Sequence, residues 1–345
     1  FSLEAKPRMY EFGVGRCSYA NRRFSAHALH SMPTAPPRSA SHMDGLVALH
    51  SSPAVALLTS LVLSLVFVAS LHFWQLLGYE EKNRNDPDTI KRRFCSTLFC
   101  CGCAGALVCC LAKPARNGDV DELQLSYLEL LGIWTPEAPR ACVQCTLLTA
   151  SLFIGPLMQH LLEVHQGYTL LVSAPSDVLI ALRDVVVAPL TEEFFFRACL
   201  VRLWDSASLP YALILVAGPW CFSLAHVHHF VEHVRRHESK KVALAQVGFQ
   251  VFYTSLFGMY ATFLLLKTGS TLAVILAHAF CNHQGFPDVS FFSDELHSLH
   301  HRRGVLGVVY VTGIIAFSFL LVPLTSGFEP VFQCTRSVLA KGDSK

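Results

Sequence analysis

The sequence has little charge for its length. Only 15% of its 345 residues are Asp, Glu, Lys or Arg, whereas soluble domains average about a quarter. Basic and acidic residues nearly balance, 27 against 25, so the formal net charge is only +2. No strongly basic face is available for nucleic acid, and we expect no nucleic-acid partner. Because 52% of the residues are hydrophobic, the composition is typical of a membrane protein, with membrane lipid as its surroundings.

Sequence signs of a metal site are also weak. The HExxH pattern of many zinc proteases does not occur in the sequence. Six of the 13 cysteines fall within residues 95–110, inside an apolar run, where a thiol behaves as a small hydrophobic group. Cys142 and Cys145 form a CxxC pair, which we interpret as ordinary helix residues. We therefore expect buried, reduced thiols and no bound metal.

The first 50 residues differ in composition from the remainder. They are rich in Arg, Ser and Pro and contain few acidic residues. We expect residues 1–50 to form a disordered N-terminal arm, and Met43, just before the first apolar run, is a candidate start of translation. A membrane domain is expected over residues 51–325, followed by a C-terminal tail over residues 326–345.

Apolar runs follow one another along most of the chain. A membrane-spanning helix needs about 20 predominantly apolar residues. The runs cover residues 54–78, 94–112, 142–162, 177–202, 209–230, 243–267, 271–284 and 304–324. Since lipid excludes exposed irregular backbone, we predict an all-α fold, a polytopic membrane bundle of about eight transmembrane helices. Lys and Arg in the loops 79–93 and 231–241 place both loops on the cytosolic side.

Charged residues interrupt the fourth apolar run at Pro189–Arg197. Such residues in a membrane helix usually face a functional interior. Glu193 and Arg197 are four residues apart and can form an ion pair on one helix face. The side chain of Glu192 is rotated about 100° around the helix from that of Glu193 and so lacks the arginine partner. A buried carboxylate without a counter-charge suits a general base. The alternative is that all three residues form a structural ion network.

Two other runs carry polar residues of catalytic type. His226 follows apolar residues late in the run 209–230, although a lone histidine in an apolar helix is more often a hydrogen-bonded core residue. His278 and Asn282 are four apart on one short run and project to one side, as a pair of oxyanion donors would. A polar clamp between helices is the alternative for that pair. Because three separate runs hold such residues, the sequence favours a common site.

The spacing of these residues resembles a known family. EExxxR (Glu192 to Arg197), FxxxH (Phe222 to His226) and HxxxN (His278 to Asn282) occur in this order on successive runs. Over residues 55–325 the chain resembles the Abi/CPBP family of intramembrane proteases, and within it the eukaryotic type II CAAX endopeptidases. The resemblance implies a multi-pass enzyme of the endoplasmic reticulum membrane. Its substrates would be farnesylated or geranylgeranylated CAAX proteins, such as Ras-like small GTPases, from which it removes the last three residues.

The resemblance also implies a role for each residue. Glu192 would activate a water molecule with help from the imidazole of His226. His278 and Asn282 would stabilise the oxyanion. Glu193 and Arg197 would form the pair that supports the helix geometry, and no cofactor is expected.

Two alternatives stay open at this point. A zinc protease could use His226, His278 and Glu192 as ligands and Glu193 as the base. The absence of HExxH weighs against zinc, and Asn282 would have no role in such a site. A non-enzymatic scaffold or transporter could also keep buried ionisable residues, although no internal repeat is visible in the sequence.

Overall fold

The computed structural model describes residues 47–79, 84–114, 125–166, 175–224 and 239–342. Most of the expected arm, residues 1–50, lies outside these ranges. Helices dominate the described residues, as the sequence predicts. The only sheet among them is an antiparallel pair of two-residue strands, β1 (Val47–Ala48) and β2 (Lys113–Pro114). Val47 and Ala48 are buried, so the end of the expected arm is part of the folded domain.

Two capped helices open the domain. The first, α1 (Pro53–Ser70), begins after Ser52, whose Oγ accepts the N–H of Val55. A single turn, α2 (Phe73–Leu76), follows. The next helix, α3 (Pro87–Leu111), begins earlier than its apolar run because Asp86 caps it and Pro87 suits a first helical position. As a result, Lys91, Arg92 and Arg93 lie on the first two turns of α3, although the sequence predicted a loop there.

The third apolar run forms two helices instead of one. After the single turn α4 (Tyr127–Leu130), α5 (Ala138–Leu152) and α6 (Ile154–His165) meet at an angle of 70°. Pro156 has no N–H to donate to the carbonyl of Leu152, so the hydrogen-bond ladder cannot continue through this point.

The fourth run forms one continuous central helix, residues 175–206, that contains two π-helical stretches. Its parts are α7 (Pro175–Leu182), π1 (Arg183–Val187), α8 (Ala188–Glu193), π2 (Phe194–Val201) and α9 (Arg202–Ser206). Wider π turns are rare, and they occur frequently at functional sites. The two carboxylates singled out by the sequence lie in α8, between these two stretches.

Within the described ranges, five further α-helices follow the central helix. They are α10 (Tyr211–Leu224), α11 (Lys240–Thr268), α12 (Thr271–Gln284), α13 (Arg303–Thr325) and α14 (Gln333–Gly342). α10 packs along α11, and α5 packs against both α12 and α13. Parts of the central helix contact α1, α3, α10, α11 and α12, so its side chains form much of the core.

The prediction of about eight spans is not confirmed. In the described part of the chain, four helices are long and apolar enough to cross a membrane, or five if the bent pair α5 and α6 counts as one. α12 has 14 residues, which at 1.5 Å per residue is about 21 Å, less than the roughly 30 Å of a bilayer core. The central helix holds too many charges to qualify by composition. Neither element is therefore among the candidate spans.

The C-terminal tail packs on the end of the central helix. Asp205 accepts the backbone N–H groups of Gln333 and Cys334, at 3.0 and 2.9 Å, where α14 begins. Arg202 donates to the carbonyl oxygens of Leu130 and Val331 at 2.8 and 2.7 Å. Both charged side chains are buried. Residues 326–342 are thus attached to the domain through this charged pair.

Candidate active site

Glu193 and Arg197 form the ion pair that their spacing predicts. Nε of Arg197 lies 3.1 Å from Oε2 of Glu193, and Nη1 donates to Oε1 at 3.3 Å. Both residues are at most 1% exposed. The guanidinium also lies over the ring of Phe222, 4.7 Å from its centre, which is a cation–π distance. The pair is therefore part of the core, and the phenylalanine of the FxxxH pattern forms its wall.

Glu193 also fixes the ring of His278. Nδ1 of His278 lies 2.7 Å from Oε1 of Glu193, and Phe257 of α11 packs on the ring with a centroid distance of 4.5 Å. Because Glu193 pairs with Arg197 as a carboxylate, it can only accept, so Nδ1 is the donor. This bond turns Nε2, the other ring nitrogen, toward Glu192.

Glu192 has different surroundings from its neighbour in the chain. Its side chain is 25% exposed, whereas that of Glu193 is fully buried. Oε2 of Glu192 lies 3.9 Å from Nε2 of His278. This distance is too long for a direct hydrogen bond but allows both atoms to contact one water molecule. The structure thus separates the two adjacent carboxylates, as the helical geometry predicts.

Glu192 lines a cavity between the central helix, α1 and α3. The cavity has a volume of about 170 Å³. Its apolar wall includes Phe67, Val68, Leu71, Phe94, Phe196 and Phe222. Its charged lining residues are Arg84, Arg93, Arg183, Asp184 and Glu192. A ligand in this space would meet an apolar surface and charged groups at once.

Asn282 contacts the central helix at Asp184, whereas His278 contacts it at Glu193. Its Nδ2 donates to the backbone carbonyl of Asp184 at 2.8 Å. At the end of π1 the N–H of Ala188 donates to the carbonyl of Arg183, five residues earlier. With the same spacing, the carbonyl of Asp184 would need the N–H of Pro189. Proline has none, and the amide of Asn282 takes its place. An amide nitrogen carries two hydrogens, so the second N–H of the exposed Asn282 is available to a ligand.

His226 lies outside the described residues, since the described part of α10 ends at Leu224. Its role beside Glu192 stays a prediction. In the described ranges no three His, Cys, Asp or Glu side chains are grouped so as to hold a metal ion. The zinc alternative needs His226 as a ligand and is therefore untested.

Several residues at the site were not singled out from the sequence. Arg183 and Asp184 lie nine and eight residues before Glu192 on the same helix, and their charges in an apolar run were a visible signal. The contact of Phe257 with His278 joins two helices, and nothing in the local sequence indicates it.

The chain is similar to known proteins over most of its length. A family model, type II CAAX prenyl endopeptidase Rce1-like, matches residues 174–283. CAAX prenyl protease 2 of Homo sapiens is 32% identical over 309 residues, covering 86% of this chain and 88% of that protein. The probable CAAX prenyl protease 2 of Schizosaccharomyces pombe is 32% identical over 235 residues, 67% of this chain and 80% of that protein. No solved structure gives a significant match.

Proposed function

Since this chain belongs to the CAAX prenyl protease 2 family, we propose that it is an intramembrane endopeptidase that removes the C-terminal tripeptide from prenylated CAAX proteins. Its relatives are named CAAX prenyl protease 2 or probable CAAX prenyl protease 2, which supports a protease that acts on prenylated CAAX proteins. The substrates would be farnesylated or geranylgeranylated proteins, such as Ras-like small GTPases, processed at the endoplasmic reticulum membrane. The cavity supports this proposal, because its apolar wall suits a lipid-modified peptide and its charged residues suit hydrolysis.

The proposed catalytic mechanism is based on the positions of Glu192 and His278. Glu192 lines the cavity and faces Nε2 of His278 across 3.9 Å, while Glu193 is occupied by two other side chains. Glu192, with His226 beside it, takes a proton from a water molecule as the water oxygen attacks the carbonyl carbon after the prenylated cysteine. The tetrahedral intermediate then breaks its C–N bond, and the leaving amine receives the proton from Glu192.

His278 and Asn282 would stabilise the oxyanion of that intermediate. Because Nδ1 of His278 donates its hydrogen to Glu193, Nε2 carries a hydrogen only in the imidazolium form. This form is therefore the one that donates to the oxyanion. Asn282 would supply its second N–H, the first being held by Asp184. Loss of one such donor typically lowers kcat by about 10²–10³-fold.

A cleavage assay tests the proposal. The full chain, in membranes or reconstituted, is incubated with a farnesylated CAAX peptide, and the released tripeptide is measured by mass spectrometry. Glu192→Gln keeps the shape of the side chain and removes the base, so release should fall by at least about 10²-fold. Glu137→Gln, a partly exposed carboxylate paired with Arg140 at the start of α5, is the matched control and should cleave normally. Normal release by Glu192→Gln would reject the assignment.

A chelator arm of the same assay tests the zinc alternative. We expect activity to persist in a strong chelator, since Glu192, His278 and Asn282 can carry the reaction as base and donors. Activity that is lost in the chelator and restored by stoichiometric zinc would instead favour His226, His278 and Glu192 as ligands. Absence of cleavage by the wild-type chain would favour a scaffold or transporter.

A further inference from the structure

A second space, which we call the outer groove, lies between α1, α2 and α3. Its volume is about 550 Å³, against about 170 Å³ for the cavity that Glu192 lines. Both α1 and α3 are candidate membrane spans, and two residues of the lining, Leu76 and Phe99, are 86% and 73% exposed. The groove therefore opens toward lipid. Its predominantly apolar lining includes Val66, Ala69, Phe73, Trp74, Cys95 and Phe99.

The outer groove and the catalytic cavity have no lining residue in common. On α1, Val66 and Ala69 line the groove, whereas Phe67 and Leu71 line the cavity. The two spaces thus use different faces of the same helix. A ligand in the outer groove does not contact Glu192, so the groove requires an occupant other than the scissile peptide.

One end of the outer groove is basic. Arg92 precedes Ser96 and Phe99 of the lining by four and seven residues, so it lies on the same face of α3. Nε1 of Trp74 donates to the backbone carbonyl of Arg92 at 3.0 Å and to Oγ of Ser96 at 2.8 Å. The groove wall is therefore attached to the turn that carries Arg92, directly before the apolar part of α3.

The groups at this end are those of a membrane–water interface. The guanidinium of Arg92 lies over the ring of Tyr79, 4.7 Å from its centre, and Lys91 is exposed. Tyr and Trp are enriched at the depth of lipid headgroups. Within the described ranges no ion pair joins Lys91 or Arg92 to an acid, and Asp88, one turn earlier, is no exception. Two positive charges therefore remain at the end of an apolar groove.

We propose that the outer groove binds an acyl chain of an anionic phospholipid, whose phosphate is held by Lys91 and Arg92. Basic sites next to membrane helices attract the anionic lipids of the cytoplasmic leaflet, the side on which the sequence places these residues. Arginine also forms strong, charge-assisted hydrogen bonds with phosphate. The site does not depend on the proposed function, because neither its lining nor its charges take part in the proposed hydrolysis.

Competition between two phospholipids tests this site. The full chain is reconstituted in vesicles of phosphatidylcholine and phosphatidylserine in equal parts and extracted in mild detergent. Native mass spectrometry then identifies the phospholipid that stays bound. The wild-type chain should retain phosphatidylserine in preference to phosphatidylcholine. Lys91→Gln combined with Arg92→Gln should lower that preference roughly 25-fold, about fivefold for each charge removed.

A second variant changes the groove and leaves the charges in place. Ala69→Phe narrows the groove, and because Ala69 is exposed the domain should remain folded. Retention of both phospholipids should fall to background, since an acyl chain no longer fits. The loss in this variant distinguishes a groove that holds a lipid from a patch of charge that only attracts one.

Lys240→Gln combined with Lys241→Gln is the matched control. These two exposed lysines begin α11, are outside the groove lining and follow the loop that the sequence places on the same side of the membrane. Their neutralisation removes the same amount of charge and should keep the wild-type preference.

Equal retention of the two phospholipids by the wild-type chain would overturn the lipid site. An equal loss in the Lys240 and Lys241 variant, or unchanged retention in Ala69→Phe, would overturn it as well. Displacement of the bound phospholipid by a farnesylated CAAX peptide would show that the groove holds the prenyl chain of the substrate instead. None of these outcomes would contradict the proposed function.

Discussion

His278 donates through Nδ1 to Oε1 of Glu193 over 2.7 Å, in a buried contact between α12 and the central helix. The same carboxylate pairs with Arg197, so one side chain fixes both the imidazole and the guanidinium. This arrangement explains why two adjacent glutamates have different surroundings. Glu193 is enclosed by partners, and Glu192 lines the cavity with the second imidazole nitrogen beside it.

Glu193→Gln should lower both activity and stability. The change leaves the buried guanidinium of Arg197 without a counter-charge, which typically costs about 3–5 kcal/mol. It also weakens the bond that orients His278. Denaturation and peptide cleavage measure the two effects separately.

The double variant Glu193→Gln with Arg197→Met distinguishes the role of Glu193 in orienting His278 from its contribution to stability. Replacing both charges removes the uncompensated cation, so stability should recover. Cleavage per folded molecule should stay low, because the imidazole still lacks its carboxylate. Recovery of full activity together with stability would show that Glu193 is merely structural.

Asn282→Ala should lower kcat by about 10²–10³-fold and change KM little, as expected for an oxyanion donor. The side chain is exposed and its one described bond goes to the carbonyl of Asp184, so the domain should remain folded. Asn282→Asp keeps the size of the side chain but cannot donate, and it should be equally inactive. A loss of stability with kcat preserved would support the helix clamp instead.

Pro189→Ala should affect catalysis without a loss of stability. Alanine supplies the N–H that the carbonyl of Asp184 lacks, so the helix can form that bond itself. The amide of Asn282 then loses its acceptor, and kcat should fall. Thermal unfolding in parallel with kinetics checks this, and unchanged kinetics would mean that the Asp184 contact does not position Asn282.

Asp205→Ala should detach the C-terminal tail. The carboxylate caps α14 through two backbone N–H groups and lies 3.8 Å from the buried Arg202. Removing it should cost about 3–5 kcal/mol and expose the tail to limited proteolysis. Asp205→Asn keeps one accepting oxygen and should cost less. Equal protease resistance of wild type and Asp205→Ala would contradict this attachment.

Local spacing was sufficient to predict some of these features. The pairing of Glu193 with Arg197 follows from a separation of four residues, and the different position of Glu192 follows from the same helix geometry. The common side of His278 and Asn282 was predictable in the same way. Each of these depends on one helix alone.

Tertiary contacts determine the features that spacing could not predict. The amide of Asn282 donates to the carbonyl of Asp184, which lies on another helix. That carbonyl lacks a backbone donor because of the π-helical turn and because Pro189 has no N–H. Pro156 was a sequence signal for the 70° bend between α5 and α6. The run 142–162 was nevertheless predicted as one helix, because it is predominantly apolar. The count of about eight spans is not confirmed, since in the described ranges only four or five helices are long and apolar enough, and apolar composition alone does not distinguish a helix that crosses lipid from one that packs inside a domain.

A single-turnover cleavage in ¹⁸O-labelled water tests most directly whether Glu192 activates a water molecule. Direct attack by water places one labelled oxygen in the new carboxylate of the prenylated cysteine during the first turnover. We predict this label for the wild-type chain, and at least about 10²-fold slower product formation by Glu192→Gln. Label found in the side-chain carboxylate of Glu192, with an unlabelled product, would show that Glu192 attacks the peptide itself and would contradict the account.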